Sequence, residues 1–143
     1  MGSGDEPGGA YGGAYGGKPG EEPDEEPAMS PATSMVTTHV LDTARGRPAA
    51  GVEVRFERVT DAAVEAVGGG TTDADGRLRD LGPESLDSGT YRLVFGTGDY
   101  FAGLGQDTLY PEVTITFTLA ADGGHYHVPL LLSPYGYTTY RGS

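Results

Sequence analysis

Residues 113–119, Val-Thr-Ile-Thr-Phe-Thr-Leu, alternate apolar and hydroxyl side chains without a break. Successive side chains of a strand point to opposite faces, so this run reads as a strand with one buried face. A single such face cannot be covered locally and requires a second packed layer. The same period recurs in residues 51–59, where Val52, Val54 and Phe56 alternate with Glu53, Arg55 and Glu57. Tyr91, Leu93 and Phe95 share a face in a further strand, residues 91–95. Residues 36–41 are β-branched and apolar, a strand that holds His39. Residues 63–67 read as a short hairpin partner ended by Gly68-Gly69-Gly70. Residues 125–132 form another strand, entered through the turn Asp122-Gly123-Gly124, and residues 137–141 the last.

Between these runs stand turns by composition, Asp42 to Pro48 and Thr72-Asp73-Ala74-Asp75-Gly76-Arg77, with Gly76 suited to φ > 0. One helix is expected, residues 99–105, with Asp99 as its N-cap and Gly105 as its stop. At about two turns it needs packing to persist. Seven or eight short strands with Gly-, Pro- and Asp-rich turns predict an all-β fold, an antiparallel β-sandwich over residues 35–143. Its exposed strand edges call for protection by charge or by association.

Residues 1–34 are of another kind. They repeat Gly-Gly-Ala-Tyr, continue into an acidic, Pro-rich run, and contain no Leu, Ile, Val or Phe. Such a segment buries too little apolar surface to offset roughly 1–2 kcal/mol of backbone entropy per residue, and reads as a disordered tail. It carries seven acids against Lys18, while the remainder holds fourteen acids and eight arginines, so half of the formal net charge of -12 belongs to the tail. That charge argues against a nucleic-acid partner, whose phosphates need a basic face. No apolar run is long enough to span a bilayer. The N-terminus has neither the basic nor the apolar region of a signal peptide, so a cytoplasmic location is expected. With no cysteine, there is no disulfide, thiolate nucleophile or Cys-ligated metal.

Chemistry-bearing candidates are few. His125 and His127 lie two apart on a strand and point to one face, and His39 lies on another strand. Three readings stand side by side: histidines satisfied by backbone partners, a three-His zinc site, and metal-free acid–base chemistry. Arg77, directly after the Gly76 turn, is either a solvated charge or a fixed planar cation for an anionic substrate or an oxyanion. Tyr140, Arg141 and Ser143 form the chain's tip, a frayed end or a source of a hydroxyl and the α-carboxylate. There is no Gly-x-Ser-x-Gly elbow, phosphate loop or EF-hand, and Asp73 with Asp75 reads as turn chemistry.

Three stretches carry a resemblance: Thr37-Thr38-His39-Val40-Leu41-Asp42, Asp73-Ala74-Asp75-Gly76-Arg77, and the end from His125 to Tyr140-Arg141-Gly142-Ser143. Through them residues 36–143 resemble the 5-hydroxyisourate hydrolases, transthyretin-related enzymes of purine breakdown. The resemblance implies a transthyretin-like homotetramer, a dimer of dimers, with active sites in a channel between dimers. It implies no cofactor and no metal. It assigns catalysis to His39, Arg77, His127 and Ser143, substrate contact to His39, Arg77 and Tyr140, and a supporting role to His125. The implied reaction opens the ring amide of 5-hydroxyisourate to the ureido-imidazoline carboxylate OHCU by His-assisted attack of water. The competing expectation is a transthyretin-like carrier that binds small aromatic ligands in the same channel without chemistry.

Overall fold

The computed structural model describes residues 33–142. Ten strands and one helix follow in order: β1 (Val36–Asp42), β2 (Arg47–Pro48), β3 (Glu53–Val59), β4 (Val64–Thr71), β5 (Arg77–Leu78), β6 (Gly89–Phe95), α1 (Thr97–Gly103), β7 (Val113–Leu119), β8 (Tyr126–His127), β9 (Leu130–Ser133) and β10 (Gly136–Thr139). They form two sheets. One is four-stranded and fully antiparallel, in the order β4-β3-β6-β7; the other is built around β1, in the order β10-β9-β1-β2 with β5 and β8 also on β1. The all-β expectation therefore holds.

The apolar faces expected from alternation are the ones buried. Val52, Val54 and Phe56 are at most 3% exposed, as are Tyr91, Leu93 and Phe95. Opposite them lie Val36, Val40, Leu130 and Leu132 of the β1 sheet, all fully buried. Phe56 packs on Tyr91 and stacks on Phe117, which ties β3, β6 and β7 into one aromatic layer. Face-to-face burial of two sheets is the driving force, at roughly 25 cal/mol per Å² of apolar area.

Several expectations need correction. The sandwich is not purely antiparallel, since β8 and β9 both run parallel to β1. Parallel pairing needs a long crossover, and most of the domain supplies it. The single strand expected over residues 125–132 is two strands, separated at Val128-Pro129. Pro129 has no N–H to give to the ladder, so pairing lapses there and resumes at Leu130. β4 runs through Gly68-Gly69-Gly70 instead of stopping before them. Gly68 lies against the Leu81 backbone, and a Cβ there would fall on the Leu81 carbonyl. The triplet is thus a close-approach surface within a strand.

The helix starts two residues early, at Thr97, with Gly96 as an N-cap that has no side-chain cap bond. Asp99 sits in its first turn, where a negative charge suits the helix N-terminus. Its end is as expected. Gly105 takes φ 67°, and the N–H groups of Gly105 and Gln106 return to the carbonyls of Ala102 and Phe101, the Schellman pattern. The Tyr100 hydroxyl donates to Asp42 Oδ2 at 2.7 Å and fastens the helix to the end of β1. Burial, then the Asp42 carboxylate, pushes that phenol up to about 12. The tail expectation falls largely on residues outside the described ones. Ser34, however, is 2% exposed. Its hydroxyl lies 2.7 Å from the Val36 carbonyl and 2.6 Å from the Arg79 carbonyl, and accepts from the Leu81 N–H. Among the described residues no helix is long and apolar enough to cross a membrane.

Candidate active site

β1 organises the site because both of its edges are in use. β5 and then β2 pair one edge; β8 and then β9 pair the other. Its even positions, Val36, Thr38 and Val40, face the core and are at most 1% exposed. Its odd positions face the other way. The register sets His39 opposite Arg77 and Thr37 opposite His127. Cross-strand partners share a face, so Thr37, His39, Arg77 and His127 stand together on the outer side of one sheet. Arg79 and His125 lie two residues from Arg77 and His127 and join them by the same period.

The Arg77 side of the site is set by its turn. Asp73 Oδ1 accepts from the N–H of Asp75 at 2.8 Å and of Arg77 at 2.9 Å. The backbones of Asp73 and Arg77 also pair, and Gly76 takes φ 76°. This folds Asp73-Ala74-Asp75-Gly76 into a rigid loop and aims two groups at β1. Arg77 reaches its register position, and the Asp75 carbonyl accepts from His39 Nε2 at 2.9 Å. A carbonyl only accepts, so neutral His39 carries its proton on Nε2 and its lone pair on Nδ1. Burial and then Arg77 hold this imidazole below its ordinary value, partly offset by the Asp75 carbonyl and by Asp73 and Asp75.

The His127 side is set by Thr37 and by the end of the chain. Thr37 Oγ1 lies 2.9 Å from His127 Nδ1 and 2.9 Å from His125 Nε2. The Gly142 N–H donates to the His127 carbonyl at 2.7 Å, an isolated antiparallel bridge. A Cβ on Gly142 would lie 2.6 Å from His127 Cδ2. Any larger residue there would push the ring off Thr37, so this glycine is a close-approach position. Arg141 lies over the Tyr126 ring at 3.9 Å and donates to the carbonyls of Gly123 and His125. The last strand ends earlier than expected, at Thr139. The chain then leaves β10 and crosses to β8, which brings its tip to His127.

Burial first, and then the charges of His39, His125, Arg77 and Arg79, push the His127 imidazole down to about 4 from 6.5. Burial also lowers His125, aided by Arg141 and opposed by the Ser34 carbonyl. His127 is therefore neutral at pH 7. The sign of the linkage follows. Between 6.5 and about 4 the unfolded chain binds the proton that folded His127 refuses, so stability rises with pH across that window. The contribution is full above 6.5 and is lost as pH falls towards 4. His39 and His125 shift in the same direction. The expected result is a thermal midpoint that drops on going from neutral pH into this window. A midpoint that is flat there, read by circular dichroism, would contradict the buried neutral histidine.

Thr33, Thr37, Thr38, Arg77, Arg79, His125 and His127 line a cavity of about 240 Å³. Among the described residues no carboxylate lines it, so an acidic chain carries a cationic pocket. Of the residues singled out from sequence, Arg77, His125 and His127 line it, and His39 shares their sheet face beside Arg77. Tyr140 is 54% exposed and is not part of the lining. Ser143 lies outside the described residues. Among the described residues no three His, Cys, Asp or Glu side chains gather as a metal site. The Thr37 and Arg79 contributions were not anticipated. Both follow from period two, as the same-face neighbours of His39 and Arg77, but only the strand register makes them part of one site.

The model of the HIUase/Transthyretin family matches residues 36–142. The 5-hydroxyisourate hydrolase of Salmonella dublin is 47% identical over 108 residues, 75% of this chain and 79% of the relative. The solved Klebsiella pneumoniae 5-hydroxyisourate hydrolase superposes with a TM-score of 0.68 at 36% identity, covering 76% of this chain and 98% of that one. Sea bream transthyretin, solved in complex with thyroxine, gives 0.71 at 30% identity, covering 75% and 93%. With a family model that runs from the first residue of β1 to Gly142, the chain belongs to the HIUase/transthyretin family.

Proposed function

We propose that the protein is a 5-hydroxyisourate hydrolase that opens the ring amide of its substrate by direct attack of water, giving OHCU. One arrangement carries this reading: a neutral imidazole, His127, on the same sheet face as two arginines, in a cavity whose described lining holds no carboxylate. A carrier of apolar ligands has no need of such a cluster. Hydrolysis needs a base for the water and a cation for the oxygen that becomes negative.

In this mechanism a planar, oxidised purine binds with its ring carbonyl towards Arg77, and Arg79 adds to the field. His127 Nε2 takes a proton from water as the oxygen attacks the carbonyl carbon. Arg77 stabilises the tetrahedral oxyanion. The C–N bond then breaks, His127 returns the proton to the departing nitrogen, and the carbonyl carbon becomes a carboxyl group that gives its remaining proton to solvent as the carboxylate. A base held near 4 is weak, and burial is the main cause; bound negative charge offsets the smaller contribution of the two arginines, so its basicity rises in part when the site fills. His39 orients the substrate beside Arg77. Ser143, covalently next to the Gly142 that pairs with His127, positions the water through its hydroxyl.

The site is completed by association. A small-molecule pocket is usually roughly 300–1,000 Å³, and the cavity of one chain is smaller than that. Among the described residues β4 and β7 leave the edges of their sheet unpaired. In a homotetramer, a dimer of dimers, another subunit closes the cavity and brings Tyr140 to the substrate. The decisive assay follows the ultraviolet absorbance of freshly generated 5-hydroxyisourate with and without the protein. Accelerated decay over the spontaneous baseline is expected. An unchanged decay would sink the hydrolase reading and favour the carrier.

A further inference from the structure

We propose that Arg141 is a positioning residue, a latch that seats the end of the chain on His127. Its guanidinium grips the Tyr126 ring and the carbonyls of Gly123 and His125, and so holds the Gly142 backbone against the His127 imidazole. The latch itself stands on geometry; its consequence for the rate rests on the hydrolase reading.

Beyond Thr139 the chain has left its ladder. Tyr140 is 54% exposed and gives the segment little to hold it. Among the described residues two polar attachments tie residues 140–142 down, and both reach β8 or the turn that enters it. One is the Gly142 N–H, which donates to the His127 carbonyl at 2.7 Å. The other is the Arg141 side chain. Its guanidinium carbon stands 3.9 Å from the centre of the Tyr126 ring, while Nη2 donates to the Gly123 carbonyl at 3.0 Å and the His125 carbonyl at 3.1 Å. A single backbone bond next to a chain end frays readily. A planar cation that lies on a ring face and donates in its own plane to two carbonyls is a combination that arginine supplies and lysine does not.

The surface it grips is fixed to the core. Tyr126 is 8% exposed, and its N–H donates to the Met35 carbonyl. Its hydroxyl accepts from the Ala120 N–H at 3.0 Å, and its ring packs on Phe117. With Arg141 held there, Gly142 has little freedom. Its backbone covers one edge of the His127 ring, so closely that a Cβ would lie 2.6 Å from Cδ2. The groups that face His127 are Thr37 and His39 of β1, Arg77 of β5, Arg79 just beyond it, and His125 beside it on β8's approach. Burial is the largest cause of the lowered His127, ahead of the charges of His39, His125, Arg77 and Arg79. The Arg141 charge acts on His125. Loss of the latch therefore reaches His127 by uncovering the ring, and an uncovered imidazole binds its proton more readily.

The test uses the full chain. Arg141→Met keeps much of the stem and removes the guanidinium. Hydrogen exchange read by NMR should show the Gly142 amide exchanging faster by about tenfold or more, as at a fraying terminus. The His127 titration, read from its imidazole 1H–15N signals, should move up from about 4 towards 6.5. The turnover kcat should fall roughly 10²-fold, the cost of a misplaced group, with KM little changed. Arg141→Lys keeps the charge without the fork and should recover only part of each effect. A shortened chain lacking Gly142 and Ser143 separates seating from any other role. There His127 is already uncovered, so adding Arg141→Met should leave its titration where the shortening put it, the non-additivity of two changes that act through one contact. An Arg141→Met protein that keeps the Gly142 protection and the His127 titration of the parent overturns the proposal. So does an Arg141→Met shift of His127 that is as large in the shortened chain, because the guanidinium then acts by another route. A lower thermal midpoint with both signals unmoved would make Arg141 a stabilising contact only, and would also overturn it. If the parent does not hydrolyse 5-hydroxyisourate but Arg141→Met frees Gly142 and raises His127, the latch stands and the hydrolase reading falls.

Discussion

His127→Asn is expected to lower kcat by about 10²–10⁴-fold, the range a positioned general base contributes, while KM and the thermal midpoint at neutral pH stay close to those of the parent. Asparagine is chosen because its side-chain amide occupies the place of Nδ1 and can still hydrogen-bond Thr37 Oγ1, 2.9 Å from the ring in the parent. The variant thus removes Nε2 and little else. The pH dependence gives a second reading of the same group. His127 is pushed down to about 4, so the parent's activity should fall only well below 6.5, and that acid limb should vanish with the imidazole. A kcat within a factor of a few of the parent would transfer the base role to His39, whose Nδ1 lone pair is the remaining one on this sheet face.

Arg77→Met should lower kcat/KM by about 10²–10³-fold, the loss seen when one oxyanion donor is removed. Arg77→Lys should recover only part of that, because a point charge lacks the planar fork of donors. A second consequence comes from the field. Arg77 helps to lower both His39 and His127. With its charge gone, both imidazoles should bind protons more readily, and the acid limb of the rate should move to higher pH. Arg79, more exposed and farther along the chain, should act mainly on KM when replaced by Met. Equal losses for Arg77→Met and Arg79→Met, with no movement of the acid limb, would mean that the pair serves only to attract the substrate.

Much of this architecture could be read before any coordinates. Val113, Ile115 and Leu119 bury on the face opposite Thr114, Thr116 and Thr118, and Tyr91, Leu93 and Phe95 share a buried face by the same period of two. The Asp73-Ala74-Asp75-Gly76-Arg77 turn formed as its composition required, with Asp73 capping two N–H groups. Other elements were misread for identifiable reasons. Residues 125–132 look like one continuous apolar strand, because the missing N–H of Pro129 matters only once a ladder stands beside it. Gly68-Gly69-Gly70 resembles a loop until the Leu81 backbone is seen against it. Asp99 is a good N-cap by type, but the chain entering from β6 begins the helix two residues earlier, at Thr97.

The sequence by itself determined which side chains share a face within each strand: His125 with His127, Thr37 with His39, Arg77 with Arg79. That is a local consequence of backbone geometry and needs no knowledge of neighbours. It also supplied the motifs whose resemblance named His39, Arg77, His127, Ser143 and Tyr140 together. What only the tertiary structure decided is that β1 lies between β5 and β8, with Thr37 beside His127, ninety positions away in the chain. Period two sets a strand's faces but not its partner or its direction, because backbone N–H and C=O groups are the same in every strand. That choice is made by burying both sheets at once and by the interruption at Pro129. It turned three separately placed pairs into one cluster and made Thr37, unremarked among the threonines of β1, the group that joins two histidines.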